Sequence, residues 1–438
     1  MANSYSLQTA LQLREQDPDK VAMHQMDLFR SHVRQAMQAP FYRELYDKNG
    51  IIPEAITSLK DIHALPFTTR RDLDEHGDRI KTVSDKEIVD LALTSGTTGP
   101  PVKVPYTKKD LDRLAFNEAV AFWGAGVRPD DVCLITVTLD RCFVAGLAYY
   151  NGLVRLGATT IRSGPGQPAR QWELISTLHP TVLVGVPTFF LYVAKWATEH
   201  GFDPARSGVR LLVTIGEPVR QPDFSLTPLG KKLTETWGCP VRSSYGATEL
   251  ETGITECEAE QGGHIHPELS LVEIVDEQGI VLPDGHPGEM VFTPLGVEGF
   301  PLVRFKTGDI TRKYTDSCSC GWKTARIGPI EGRVSQRLKM RGTTIYPETI
   351  FHVLQEIEKI DASYIEVRSA YDLSDEIRVV VGSRENISKK EIESLLQARL
   401  RVRPEVEIQD TKQVHNKIVG DGERKPKRFF DLRLGDTI

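Results

Sequence analysis

Short, nearly continuous apolar runs alternate with amphipathic stretches through the first part of the chain. Asp131–Val137, Thr181–Val186 and Val209–Ile215 each predict a strand, and Ile88–Leu93 reads as another buried strand. Between them, apolar residues recur at helical spacing in Lys108–Trp123, in Ala145–Leu156 (ended by Gly157) and in Phe190–Glu199. Upstream, Met26–Asn49 predicts one amphipathic helix ended by Gly50, and Ile62–Arg70 runs through Pro66 to a Thr-Thr-Arg helix start. Strands without polar alternation are apolar on both faces, so the pattern predicts a parallel sheet with helices on both sides. Ligands of such sheets sit beyond the carboxyl ends of the strands.

The pattern changes after about Cys257. Leu269–Asp276, Gly288–Thr293 and Leu302–Lys306 predict strands joined by turns such as Pro283-Asp284-Gly285, a small antiparallel or β-barrel-like segment. After Gly332 the order is strand Thr343–Tyr346, helix Pro347–Ile357, strands Tyr364–Ser369 and Glu376–Gly382, helix Lys389–Leu400 and strand Val406–Gln409. That βαββαβ order is a compact α+β domain in its own right. The fold class expected is therefore α/β, with a large N-terminal domain over 1–333 and a small C-terminal domain over 334–438. Lys417–Lys427 reads as a loop with a basic tip.

Length and charge narrow the picture. At roughly 150 residues per domain the chain suggests two or three domains. With a net charge of -6 it has no broad basic surface for nucleic acid. Met1–Lys20 is polar and lacks an apolar signal core. The longest apolar stretch, Val182–Ala194, is broken by Pro187 and falls short of the ~20 residues a membrane helix needs. The expectation is a cytoplasmic protein with no membrane partner. Cys133, Cys142 and Cys239 stand singly and read as ordinary buried thiols.

The segment Thr94, Ser95, Gly96, Thr97, Thr98, Gly99, Pro100, Pro101 follows a predicted strand. Glycines let a backbone approach an anion closely, and hydroxyls and free N–H groups then wrap its oxygens. The segment is not a Walker A loop, because no Gly-Lys-Ser/Thr occurs in the chain. Alone, it reads as a Ser/Thr/Gly surface turn.

It does not stand alone. Gly216-Glu217-Pro218 follows at a predicted strand end. Next come Ser244-Tyr245-Gly246-Ala247-Thr248-Glu249, Lys306-Thr307-Gly308-Asp309, Gly332-Arg333 and Lys339-Met340-Arg341-Gly342, and the series ends in a basic loop holding Lys425. From about Phe41 to Asp431 this ordered set resembles the adenylate-forming superfamily of acyl-CoA synthetases, adenylation domains and luciferases. The short length and the Cys-Ser-Cys-Gly insertion make it most similar to the phenylacetate–CoA ligase branch.

The resemblance implies a role for each motif. The Thr94–Gly99 loop would hold the β- and γ-phosphates of ATP. Many relatives carry a lysine where this chain has Val102, and Lys103, one residue on, points to the opposite face of an extended segment. Gly216, Glu217 and Pro218 would line the adenine slot, and Tyr245 would stack on the base beside Ser244 and Gly246. Thr248 would bond the α-phosphate and Glu249 would ligate Mg²⁺, a hard cation suited to few carboxylates plus phosphate oxygens. Asp309 would accept both ribose hydroxyls. Arg333 would reach ribose and phosphate, and Ser335 would be the hinge. Arg341 and Gly342 would face CoA in a second half-reaction. Lys425 would be the catalytic lysine, with Lys427 as its competitor and Arg424 in place of the family's glycine. Taken singly, Tyr245-Gly246 and Gly216-Glu217-Pro218 read as strand-end turns, Asp309 as a Gly-Asp turn and Lys425 as part of a solvated tail.

Cys257, His264, Cys318 and Cys320 give the Cys₃His set of a structural zinc site, with Gly262, Gly263 and Gly321 supplying sharp turns. His266 rivals His264, and the branch's Gly-x-His spacing favours His264. Together these features imply an ATP-dependent carboxylate–CoA ligase using Mg²⁺, with a structural zinc and no nucleic-acid partner. The resemblance also suggests a homodimer. Phe143, Gly146, Pro187 and Tyr245 are acid-pocket candidates or core residues, and the aromatic content near them points to an aryl or arylacetic acid such as phenylacetate. A stand-alone adenylating enzyme serving a carrier protein or amine shares the first half-reaction. A non-catalytic nucleotide-binding module is the reading of another class.

Overall fold

The computed structural model describes residues 5–94, 101–340, 343–369, 375–419 and 427–433. The chain splits into two compact units. One comprises Met1–Thr307 and Thr311–Pro329, the other Gly308–Ile310 and Ile330–Ile438.

The first unit is built on a six-stranded sheet ordered Thr159–Arg162, Val132–Ile135, Val182–Gly185, Leu211–Ile215, Val241–Ala247, Thr252–Thr255. The first five strands are parallel and the last is antiparallel. Leu134, Leu183 and Leu212 pack on one face, Cys133, Val182 and Val184 on the other, so both faces are buried as the apolar runs predict. The chain leaves Val132–Ile135 toward one edge and returns on its other side at Val182–Gly185. This is a topological switch point, the place where ligands of such sheets bind beyond the strand ends.

Local chemistry sets the helix ends. Thr107 and Asp110 form a reciprocal capping box at the start of Lys108–Gly124. Gly157 closes Val144–Leu156 at φ 97°, a left-handed cap that glycine adopts without a Cβ penalty. The single helix expected over Met26–Asn49 is two, Pro18–Ala36 and Pro40–Lys48. Pro40 cannot donate an intrahelical bond, so the first helix stops before it and the second starts on it. The helix expected from Phe190 begins at Pro187 for the same reason.

Ile88–Leu93 is not part of the parallel sheet. It pairs with Lys103–Thr107 as an antiparallel ribbon, with Val89 57% and Leu91 50% exposed. The segment after Cys257 is antiparallel as expected. Ser270–Val275 pairs with Gly288–Pro294, and Arg326–Ile327 lies between Lys313–Tyr314 and Gly263–His264. The strand expected at Leu302–Lys306 lies later, at Phe305–Thr311.

The second unit carries the order strand Thr343–Ile345, helix Pro347–Gln355, strands Ala362–Ser369 and Asp375–Gly382, helix Lys389–Leu400 and strand Glu405–Gln409. Helix Thr411–Ile418 and strand Phe429–Asp431 follow. The last strand completes a four-stranded sheet, pairing parallel to Ala362–Ser369. Thr343–Ile345 forms a hairpin with Leu338–Met340 instead of joining that sheet. Among the described residues no helix is long and apolar enough to cross a membrane.

Candidate functional site

The ribbon leading to the glycine-hydroxyl segment is fastened at its neck. Thr94 N donates to the Val102 carbonyl at 3.1 Å, and Val102 N donates to Thr94 Oγ1 at 2.9 Å. Val102 is buried and Lys103 exposed, the alternation expected of an extended segment. Ser95, Gly96, Thr97, Thr98 and Gly99 lie outside the described residues.

Two further bonds place this ribbon beside other motifs. Leu93 N donates to the Cys142 carbonyl at 2.9 Å, next to Phe143. Tyr106 Oη donates to the Thr248 carbonyl at 3.2 Å. Tyr106 is fully buried and burial pushes its phenol well above the ordinary value, so it stays a donor. Arg70, absent from the sequence-based set, lies with Nη1 3.5 Å from Thr94 Oγ1.

Strand ends supply the rest of this wall. Gly216 turns at φ 88°, which glycine alone takes readily. The next residue, Glu217, accepts the Thr188 N–H and the Thr188 hydroxyl, each at 2.9 Å. Thr188 follows Pro187 in the first turn of Pro187–Glu199, so the carboxylate satisfies an unpaired helix N–H and meets the positive end of the helix dipole. Pro187 and the Gly216-Glu217-Pro218 turn are thus joined. Ser244 Oγ is bonded to Thr255 Oγ1 at 3.0 Å and lies 3.4 Å from Tyr149 Oη. Tyr245 pairs with Ile254 and Gly246 with Gly253 across the antiparallel edge. Thr248 is buried and Glu249 half-buried in the turn Thr248–Leu250.

Gly146 is closely packed. A Cβ there would meet the Thr138 carbonyl oxygen at 2.1 Å. Cys133 and Cys239 are buried, but Cys142 is exposed, and both Arg141 and Cys142 take left-handed backbone conformations. The loop turns outward there, so its thiol never enters the core. A shallow cavity of 330 Å³ bounded by Arg220, Thr234 and Val241 lies at the amino end of Val241–Ala247, away from these motifs.

Beneath the site, Glu118 is buried. Burial pushes its carboxyl up to about 8. Its Oε1 accepts from Asn117 Nδ2 at 3.1 Å, and its Oε2 has no hydrogen-bond partner among the described residues. Its environment lies on residues distant in sequence, such as Gly253, so no local pattern marked it.

The Cys/His quartet assembles as expected. The ligand atoms of Cys257, His264, Cys318 and Cys320 all lie within 4.8 Å of one another. Cys257 Sγ and Cys318 Sγ are 3.7 Å apart, and Cys320 Sγ is 3.2 Å from His264 Nε2. A tetrahedral ion with Zn–S bonds of about 2.3 Å spaces its sulfurs by about 3.8 Å, so the set fits. His264 Nδ1 lies 3.0 Å from the Thr324 carbonyl, which leaves Nε2 free to ligate. His266 is not among the four gathered ligands, and its Nδ1 bonds Arg14.

In the second unit Arg333 Nε donates to Asp309 Oδ1 at 2.9 Å. Ser335 lies in the short turn Val334–Gln336. Arg341, Gly342 and Lys425 lie outside the described residues, and Lys427 N donates to the Ile418 carbonyl at 2.8 Å.

Strand-end motifs beside a topological switch point, on a chain that continues into a small α+β unit, make an α/β architecture of the kind whose ligands bind beyond the carboxyl ends of the strands. Residues 26–297 match the family model described as AMP-binding enzyme, and 342–433 match its C-terminal domain. The phenylacetate-coenzyme A ligase of Thermus thermophilus is 33% identical over 75% of this chain and 73% of its own length. That of Escherichia coli is 29% identical over 90% of both. The solved 2-hydroxyisobutyryl-CoA ligase with 2-HIB-AMP shares the fold, with a TM-score of 0.85 and 22% identity over 96% of this chain and 91% of that one. The chain belongs to the adenylate-forming AMP-binding enzyme family, in the branch of the phenylacetate–CoA ligases. By class it is an AMP-forming acid–thiol ligase.

Proposed function

We propose that this enzyme joins an aryl or arylacetic acid, phenylacetate first among them, to CoA in two steps. The carboxylate attacks the α-phosphorus of Mg·ATP and pyrophosphate leaves. The CoA thiolate then attacks the acyl carbon of the adenylate and AMP leaves. The observation that carries this reading is the fastening of the Thr94 ribbon to the Thr248 turn through Tyr106 and to the Phe143 loop through Cys142. It ties the ribbon that flanks the proposed pyrophosphate loop to the proposed α-phosphate and acid residues. With Val102 in place of lysine, phosphate charge is met by backbone dipoles, hydroxyls and Mg²⁺ on Glu249. Lys425 draws the carboxylate and α-phosphate together. Asp309 and Arg333 hold the ribose, and Ser335 is the hinge by which 334–438 exchanges Lys425 for Arg341-Gly342.

The zinc assignment belongs to the same proposal. Cys257, His264, Cys318 and Cys320 would hold the ion as a closed set, a staple with no open position for chemistry. The test of function is pyrophosphate release over a panel of carboxylic acids, with and without CoA. Acid-dependent pyrophosphate together with CoA-dependent thioester supports the ligase. Adenylate formation without thioester points to a carrier-protein or amine acceptor. Silence with every acid sinks the proposal.

A further inference from the structure

Arg113 lies buried in the helix Lys108–Gly124, and its guanidinium reaches three other segments of the first unit. Its Nε donates to the Leu295 carbonyl at 2.7 Å, and its Nη1 donates to the Glu251 carbonyl at 2.6 Å. Its Nη2 donates to Thr252 Oγ1 at 3.0 Å and to the Leu269 carbonyl at 2.6 Å. Tyr106, on the strand Lys103–Thr107 just before this helix, donates from Oη to the Thr248 carbonyl at 3.2 Å. The turn Thr248–Leu250 is therefore pinned at both ends. A phenol holds its first carbonyl, and a guanidinium holds the carbonyl just past its last residue.

That turn is one that needs holding. Glu251 closes it at φ 48°, a left-handed conformation that costs free energy in a residue with a Cβ. The Glu251 carboxyl does not help, because it is buried and neither oxygen has a hydrogen-bond partner among the described residues. The turn's own closing bond, from Glu251 N to the Thr248 carbonyl, is long at 3.4 Å. Bonds from a charged donor are stronger than neutral ones, so Arg113 is the firmest hold on Glu251. Thr248 and Glu249, the proposed α-phosphate and Mg²⁺ residues, sit within this pinned turn. Mg²⁺ demands near-ideal octahedral geometry, so a small displacement of its carboxylate ligand weakens its binding.

We propose that Tyr106 and Arg113 are positioning residues for adenylation, holding the turn that carries Thr248 and Glu249 to the α-phosphate and Mg²⁺. This rests on the two-step reading above. The test follows phenylacetate-dependent pyrophosphate–ATP exchange by the full-length enzyme while Mg²⁺ is varied, beside a thermal melt. Tyr106→Phe removes only the hydroxyl that holds Thr248. It should raise the half-saturating Mg²⁺ concentration by about fivefold or more and lower maximal exchange by about tenfold, with KM for phenylacetate within about twofold. Thr252→Val removes one of Arg113's acceptors at similar shape and should shift the Mg²⁺ dependence in the same direction by less. The second variant decides the matter should the first fold poorly. An unchanged Mg²⁺ dependence in both variants would overturn the proposal, whether or not Tm falls, since a merely structural bond lowers Tm alone. Absence of exchange in the wild-type enzyme with every acid would instead strike the functional reading itself, so the two failures are distinguishable.

Discussion

Arg333 Nε donates to Asp309 Oδ1 at 2.9 Å, and the two residues face each other across an antiparallel pair. The Asp309 side chain is 7% exposed and that of Arg333 49%. A half-exposed ion pair contributes only about 0–1 kcal/mol to stability. Arg333→Ala should therefore leave Tm nearly unchanged while raising KM for ATP by roughly tenfold, since the variant loses the proposed ribose contacts and the group that pairs with Asp309. Steady-state kinetics with ATP varied, beside a thermal melt, checks this. A large fall in Tm with KM unchanged would make the pair structural.

The Glu217 carboxylate binds both donors of Thr188. Glu217→Ala should cost about 1 kcal/mol, as loss of a helix cap does. It should also lower kcat/KM for the acid, because the start of Pro187–Glu199 is released beside the proposed pocket. Glu217→Gln, which keeps one acceptor, should fall between. Denaturant melts and acid-dependent kinetics read the two effects independently.

Glu118 predicts a pH dependence of stability. Its carboxyl titrates at about 8 in the folded chain against an ordinary 4.5. Between those values the folded chain holds a proton that the unfolded chain has released, so this contribution is full below about 4.5 and lost as pH rises toward about 8. Glu118→Gln should flatten the decline in Tm from pH 5 to pH 8. An unchanged slope would show that the group is already ionised in the fold.

The quartet predicts about one equivalent of zinc per chain. Cys318→Ser should lose the metal and lower Tm, whereas His266→Gln should keep the metal, because His266 is not one of the four gathered ligands. Elemental analysis of the purified variants decides this. Metal-free wild-type protein of undiminished Tm would contradict the staple.

Much of the fold was legible where local chemistry dictates it. Lys389–Leu400 has the bounds its periodicity predicts, and Gly157 ends its helix as the sequence signals. The errors share a cause. The apolar run at Ile88–Leu93 looks the same whether a sheet covers both faces or one, and only the pairing with Lys103–Thr107 decides. Apolar periodicity continues past Pro40 although the backbone cannot, which merged two helices into one. Cys142 read as buried because residue type does not reveal a left-handed backbone. In the site, the Cys/His quartet was legible because ligand types are few. The Thr188–Glu217 and Tyr106–Thr248 bonds were not, since each joins residues remote in sequence through one polar contact that leaves no periodic trace.

An acyl-adenylate route requires attack by the acid's carboxylate on the α-phosphorus. Phenylacetate carrying ¹⁸O in both carboxyl oxygens, turned over with ATP, Mg²⁺ and CoA, tests it directly by mass spectrometry of the products. The bond cleaved in the second step lies between the acyl carbon and the bridging oxygen, so the prediction is one ¹⁸O in AMP, one in the thioester carbonyl and none in pyrophosphate. Label in inorganic phosphate, or unlabelled AMP beside labelled thioester, would contradict an acyl-adenylate route.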